Sequence, residues 1–398
     1  MNQAASSPSL TVYPVLFAIC LAHFINDLLQ IVLISNFPEF KENYALSYAQ
    51  IGAITLTFQI TSSILQPFVG NYTDKHPQPF SFLIGMIFTL IGIVSLSFAD
   101  SYSSILISAV LIGLGSSVFH PEASKLSYYA SGGRRGLAQS IFQIGGNTGT
   151  AVGPLLVTAI VLSRGQRYIS VFAIFALIGI AILYYIGRWY KNYLIQNERQ
   201  VKKAMSMELP LPKKQVVTTL IVLLILIFSK YFYTASITSY LHLYLIEKYH
   251  FEVETAQGYL FVYLFAVAMG TFIGGPVGDK IGRKYVIWIS ILGAAPFTIL
   301  LPFASPFWML ILLVLIGVII SSAFSAILVY AQELLPGRTG MVSGFFFGFA
   351  FGMGGIGAAS LGKLADWYGL EQVFHWCSYL PLLGILAIYI PNLKNVKK

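Results

Sequence analysis

Stretches of about twenty almost uncharged residues recur from one end of this chain to the other, and no other feature constrains its fold as strongly. Each is long enough to cross a hydrocarbon layer about 30 Å thick as a helix, the one open-ended structure that satisfies its own backbone groups where there is no water. Spans lie near 11–36, 49–72, 80–99, 103–130, 137–163, 168–187, 215–246, 256–278, 285–303, 307–333, 340–362 and 371–391, which makes twelve helices. Only 10% of the 398 residues are charged, against about a quarter in soluble domains, and the mean hydropathy is +0.75. The chain is therefore read as an all-α, multi-pass membrane protein embedded in a lipid bilayer.

A net charge of +9 raises the question of a nucleic-acid partner, and the placement of the basic residues answers it. With a cytoplasmic N-terminus, only Lys41, Arg164, Arg167, Lys248 and Lys363 fall in outward-facing segments, while Lys125 and Lys230 lie within spans. All the remaining lysines and arginines collect on the inner side, which is the asymmetry that orients membrane proteins. Both termini are expected in the cytoplasm, and no nucleic acid is expected. The polar start MNQAASSPS lacks a basic region, so the first span is expected to stay in place as a helix. Cys20 and Cys377 both fall in spans and read as small packing residues.

The chain also repeats itself. GNYTDK at 70–75 recurs as GPVGDK at 275–280, SSVFH at 116–120 as SSAFS at 321–325, and GRRG at 133–136 as GRTG at 337–340, in one order and at nearly one spacing. The pattern implies two parallel copies of a six-helix unit, 1–187 and 215–398, joined by a polar, basic linker over 188–214.

The repeated loop is the most specific motif. Gly275, Asp279, Lys280, Gly282, Arg283 and Lys284 form G-x-x-x-D-K-x-G-R-K between helices 8 and 9. Its first copy keeps Gly70, Asp74 and Lys75 between helices 2 and 3 but has Pro77, Gln78 and Pro79 where basic residues would follow. Glycines permit close helix packing and a tight turn, and an aspartate can bond helix N-termini or arginines of neighbouring loops. The motif resembles the signature loop of the major facilitator superfamily, where it latches the cytoplasmic face. A merely positive loop that sets topology is the plainer alternative. The first copy thus lacks basic residues that follow the aspartate in the second. In helix 5, Gly145, Gly149 and Gly153 recur every four residues and are followed by Pro154, similar to an antiporter motif of that superfamily, although such spacing also serves ordinary helix packing. Gln139, Gln143 and Asn147 form a polar stripe on the same helix, expected to face a cavity between the halves.

Charged groups inside spans call for compensation, since one at a helix centre costs about 2.5–3.5 kcal/mol on insertion scales. His23 and Asp27, four residues apart, share a face of helix 1; His120 and Glu122 lie in helix 4, and Lys230 lies in helix 7. Helices 1, 4 and 7 line the central cavity in the superfamily, so these groups are expected to meet there. Asp27, Glu122 and His23 are the candidates for carrying a proton. Plainer readings stand beside these: Glu122 can simply pair with Lys125, His23 can be a packing residue, and Asp27 with Lys230 can be a structural ion pair. Tyr233 is a weak candidate for the wall of the path.

AHFINDLLQ, GLGSSVFHPEASK, SGGRRGLAQSIFQIGGN, ILIFSKYFY and SAFSAILVYAQELLPGR carry a closer resemblance, to the fosmidomycin-resistance family of exporters within the superfamily, over about residues 15–390. The resemblance implies proton-coupled export of small anionic phosphonate antibiotics, fosmidomycin and fosfomycin, by a monomer in the bacterial inner membrane. It further implies an anion-binding set of Lys230, Gln59, Gln143, Asn147, Tyr233 and His120. Export or uptake of a natural phosphorylated or other anionic metabolite uses the same residues and is the alternative. The chain has no His-Glu-x-x-His, no G-x-S-x-G and no His/Cys cluster at metal spacing. Hence no enzyme activity, no metal and no cofactor are expected, the proton gradient being the energy source.

Overall fold

The structure, a computed structural model, describes residues 10–46, 48–162, 164–197 and 209–393. Twelve helical spans follow one another. They are α1 (Tyr13–Ser35), α2 (Tyr48–Lys75), α3 (Ser81–Ser97), α4 (Tyr102–Ala130), α5 (Arg135–Val157) and α6 (Gln166–Gln196), then α7 (Lys213–Tyr249) and α8 (Val253–Ile281). α9 (Arg283–Phe303), α10 (Pro306–Leu334), α11 (Thr339–Tyr368) and α12 (Leu370–Tyr389) complete the set. Ten of these are long and apolar enough to cross a membrane by themselves. α3 is short, and α2 carries Gln50, Gln59, Gln66, Asn71 and Asp74 along its length, because its polar side packs against protein and not lipid. The stretch expected as a linker overlaps the last turns of α6, and its residues 198–208 lie outside the described residues.

Helix boundaries follow local chemistry. Ser101 caps α4 and exchanges hydrogen bonds with Ser104. Gly282 adopts φ 108°, a conformation open to glycine, and so lets α8 pass directly into α9. α10 is interrupted at Ser322, between the segments Pro306–Ser321 and Ala323–Leu334. The apolar outer faces of the spans, such as Phe17, Leu21, Phe261 and Trp308, are exposed in the isolated chain and belong against lipid.

α1–α6 and α7–α12 form two six-helix bundles that meet along α2 with α11 and α5 with α8. Glycines set how closely they meet. A Cβ on Gly340 would fall 2.8 Å from Asp74, one on Gly344 2.2 Å from the Gln66 carbonyl oxygen, and one on Gly348 2.4 Å from that of Ser63. Further along the same helix, a Cβ on Gly352 would meet nothing within 4 Å. The bundles are thus closed at the end that bears the repeated loops and parted toward the other.

Candidate substrate and proton site

Where the halves part, a cavity of about 220 Å³ opens between them, walled by both. α1 contributes His23 and Asp27, and α5 contributes Gln143, Asn147 and Thr150. The opposite wall is made by Lys230, Tyr231 and Thr234 of α7, Phe324 of α10, and Phe347 and Phe351 of α11. Four of the residues expected at the centre therefore meet as expected, and Lys230 faces the same space from the other half.

Lys230 is 7% exposed, and its Nζ has one long contact, 3.5 Å to the Ser321 carbonyl beside the break in α10. The rings of Tyr231 and Phe324 lie 5.4 Å from the ammonium and attract it through their faces. These contacts are weak compensation for a buried charge, and an anion in the cavity would supply what is missing. Asn147 crosses between the halves to Thr271 Oγ1 at 3.2 Å, while Gln143 Oε1 is buried without a hydrogen-bond partner among the described residues.

On the other wall, Asp27 is held between two imidazoles. Its carboxylate lies 3.2 Å from His23 Nε2 and 3.5 Å from His120 Nε2, and the two Nε2 atoms are 3.3 Å apart. Asn26 and Gln30 donate to Asp27 Oδ1 at 3.0 and 3.3 Å. Both rings have their other nitrogen committed: His23 Nδ1 lies 2.7 Å from the Phe142 carbonyl and His120 Nδ1 3.2 Å from that of Ser116. A carbonyl only accepts, which puts the hydrogen on His23 Nδ1; His120 Nδ1 has Ser116 Oγ at 3.3 Å as well, and donates to the carbonyl in the tautomer that, like that of His23, leaves Nε2 a lone pair in the neutral ring. With both rings neutral and Asp27 ionised, the trio would be acceptors facing acceptors. The arrangement calls for a cation among them, and a proton is the simplest one.

Several expectations change here. Glu122 does not join the cavity: two residues beyond His120 it sits about 200° around the helix, wholly buried, where Lys125 Nζ bonds its Oε1 at 2.6 Å and Thr73 donates to the same oxygen. The plainer reading of Glu122 is the one the structure favours. His120 is fully buried behind Asp27 and His23, which stand between it and the cavity. Tyr233 packs in the core of the second half with Ile237 and Tyr263, and its neighbour Tyr231 takes the place on the cavity wall. Gln59 lines an adjoining cavity of about 210 Å³ that shares Asp27, Thr150 and Phe351 with the first. Gln139 faces away, accepting from Ser124 Oγ at 3.2 Å.

The glycines of α5 pack against α1: Cβ atoms on Gly145, Gly149 and Gly153 would fall 2.1 Å from Cys20 O, 2.2 Å from Phe24 O and 2.0 Å from Ile31 Cγ2. The side chain of Pro154 lies outside the described residues. Gly146, which the four-residue spacing passes over, stands against the trio, where a Cβ would lie 2.4 Å from His23 Nε2 and 2.6 Å from Asp27 Oδ2. The Gly-Gly doublet at 145–146 was its only sequence signal. The aromatic wall of α11 had a signal too, in the Phe-rich run GFFFGFAFG at 344–352.

In the loops, Asp74 and Asp279 each cross to the opposite half. Asp74 accepts from the N–H groups of Gly340 and Met341 at the start of α11, at 3.0 and 2.8 Å. Asp279 accepts from those of Gly136 and Leu137 at the start of α5, both at 3.0 Å. Gly70 and Gly275 let the backbones approach there, Arg283 backs Asp279 at 3.0 Å, and Lys284 donates to the Ile388 carbonyl at 3.1 Å. Lys75 and Lys280 are exposed.

Two six-helix bundles with a cavity between them and aspartate contacts that cross from one to the other at one end have the architecture of a membrane transporter. The Major Facilitator Superfamily profile matches residues 19–359 and 223–396, and the chain belongs to that superfamily. The chain is 54% identical over 389 residues to the fosmidomycin resistance protein of Escherichia coli (strain K12), covering 98% of this chain and 95% of the relative. It is 41% identical over 398 residues to the uncharacterized MFS-type transporter YfnC of Bacillus subtilis (strain 168), covering 100% and 97%. Among solved structures, the proton:xylose symporter XylE superposes with a TM-score of 0.78 at 12% identity, covering 98% of this chain and 99% of that one. FucP in its outward conformation gives 0.72 at 17%, covering 95% and 98%. These structural likenesses carry the fold. Membership of a transporter superfamily agrees with the expectation that the chain is not an enzyme.

Proposed function

We propose that this protein exports small anionic phosphonate antibiotics, fosmidomycin and fosfomycin, in exchange for protons, acting as a monomer in the bacterial inner membrane with both termini and the latched face in the cytoplasm. The observation that carries this reading is one cavity with the weakly compensated ammonium of Lys230 on one wall and the carboxylate of Asp27 with the imidazole of His23 on the other. Lys230 meets the phosphonate as a point charge, and Gln143 and Asn147 supply further hydrogen bonds. An anion bound at Lys230 adds negative charge opposite Asp27 and alters the trio's hold on its proton, which is the coupling exchange needs. The 54% identity to a protein named for fosmidomycin resistance supports the substrate class. The excess of Lys and Arg in the segments at the latched end supports the orientation.

The test is uptake of fosmidomycin and fosfomycin into inside-out proteoliposomes under an imposed pH gradient. Lys230→Ala should insert normally yet lose substrate binding; normal affinity in that variant would remove Lys230 from the site. Asp27→Asn should lose gradient-driven accumulation while retaining exchange of substrate for substrate. If active native protein accumulates neither drug, counterflow with a panel of phosphorylated metabolites becomes the next measurement and the phosphonate reading falls.

A further inference from the structure

The trio that asks for a proton also has the donor set of a metal centre. His23 Nε2 lies 3.2 Å from Asp27 Oδ2, His120 Nε2 lies 3.5 Å from Asp27 Oδ1 and the two Nε2 atoms are 3.3 Å apart, so that with one carboxylate oxygen taken as ligand all three donors fall within 4.8 Å of one another. A tetrahedral ion bonded at about 2.0–2.1 Å needs its donors roughly 3.3–3.4 Å apart. The two lone pairs are already aimed inward, because each Nδ1 is fixed on a backbone carbonyl, the outer-shell arrangement that orients a histidine ligand. The rings are locked by packing as well: His23 stacks on Phe142 with centroids 4.0 Å apart, and His120 sets its edge against Phe351. Gly146 keeps side-chain atoms off the flank of His23 and Asp27. Asp27 and His23 open onto the cavity, so a fourth position on the ion would face water or an anionic oxygen.

We propose that His23, Asp27 and His120 bind one zinc-class divalent ion, competing with the proton for the same lone pairs. No spacing in the sequence pointed to this centre, because α1 and α4 are separated by nearly a hundred residues and only packing brings the donors together. All three ligands lie in the first half, so the ion occupies the trio without tying the two halves together. Resting on the transport reading, one consequence is that Zn2+ stops gradient-driven accumulation while anion binding at Lys230 persists and, by the reciprocal coupling, tightens.

The decisive experiment titrates Co2+ into tag-free, chelator-stripped protein in detergent. One Co2+ should bind per chain with the visible absorption of a low-coordinate site, be displaced by Zn2+, and bind more weakly as pH falls because protons compete. His23→Gln, His120→Gln and Asp27→Asn should each weaken binding by roughly tenfold or more, a loss that even outer-shell changes produce. Gly146→Ala, which leaves all three ligands in place, should weaken it too. On the native protein, X-ray absorption of the bound Co2+ should show two imidazole ligands, so the test does not depend on any variant folding. No Co2+ bound by native protein, equal affinity in the His23→Gln/His120→Gln double variant, or a bound ion without imidazole ligands would overturn the proposal. The titration uses neither gradient nor drug. Bound metal with unaffected transport would therefore count against the proton role and not against the metal site.

Discussion

The two latches do the same job with different chemistry. Each has an aspartate taking the N–H groups of the second and third residues of a helix in the opposite half, at distances between 2.8 and 3.0 Å. In the second, Asp279 is balanced near the surface: Arg283 reaches both Asp279 and Glu333, and Arg135 from the other half closes on Glu333 at 2.6 Å. In the first, the loop has lost its basic residues, yet Asp74 is the more buried of the two, at 5% against 18% side-chain exposure. Its counter-charge comes from inside the bundle, where wholly buried Lys125 stands 3.9 Å from Asp74 and 2.6 Å from Glu122. The repeat has kept the hydrogen-bond geometry and moved the cation from the loop into α4.

The difference should show in how each latch breaks. Lys125→Met leaves Glu122 and Asp74 buried without a cation, and removing one partner of a buried ion pair costs about 3–5 kcal/mol. Thermal unfolding of the purified protein in detergent should fall accordingly, and adding Glu122→Gln to the same chain should recover most of the loss. An unchanged unfolding temperature would show that the first latch does not depend on its buried lysine.

Removing the caps themselves comes next. Asp74→Ala and Asp279→Ala each strand two backbone N–H groups, worth about 1–3 kcal/mol apiece when left buried and less where water reaches them. Spin-label distances across the latched end should show both variants shifted toward the state open there, Asp74→Ala further because its site is drier. Substrate affinity in detergent should change little; a large loss in Asp279→Ala would mean that the loop does more than latch. The smallest effect belongs to Arg283→Ala, since Asp279 keeps its amide bonds and Arg135 keeps Glu333. A partly exposed pair is worth about 0–1 kcal/mol, and the shift should fade as salt is raised. A large, salt-insensitive shift would erase the contrast between the two latches.

The same contrast marks how far the sequence could be read. The loop motif marked Asp74 and Asp279, with the first copy short of its basic residues, and the structure has both aspartates accepting N–H groups across the halves. Only the structure could supply Lys125 to the first, because its partners Thr73 and Asp74 lie about fifty positions away. At the cavity, the pairing of His23 with Asp27 follows from helical spacing alone, and Lys230 stood out as a cation in mid-span. Glu122 and Tyr233 were misplaced for one reason: the sequence says how deep a residue sits in a span but not which way its helix is turned. One or two positions along a helix rotate a side chain by about 100–200°, enough to exchange a cavity wall for a packed core.

By itself the sequence determined the number of spans, their duplication and the loops that join them, because apolar length and repeated motifs are local properties enforced by the bilayer. Tertiary structure alone decided which polar groups share a space. The trio of His23, Asp27 and His120, the opening left by Gly146 and the isolation of Lys230 all arise where separate helices meet. Their register is set by the glycines of α5 and α11 packing against neighbouring backbones, over distances that no spacing along the chain encodes.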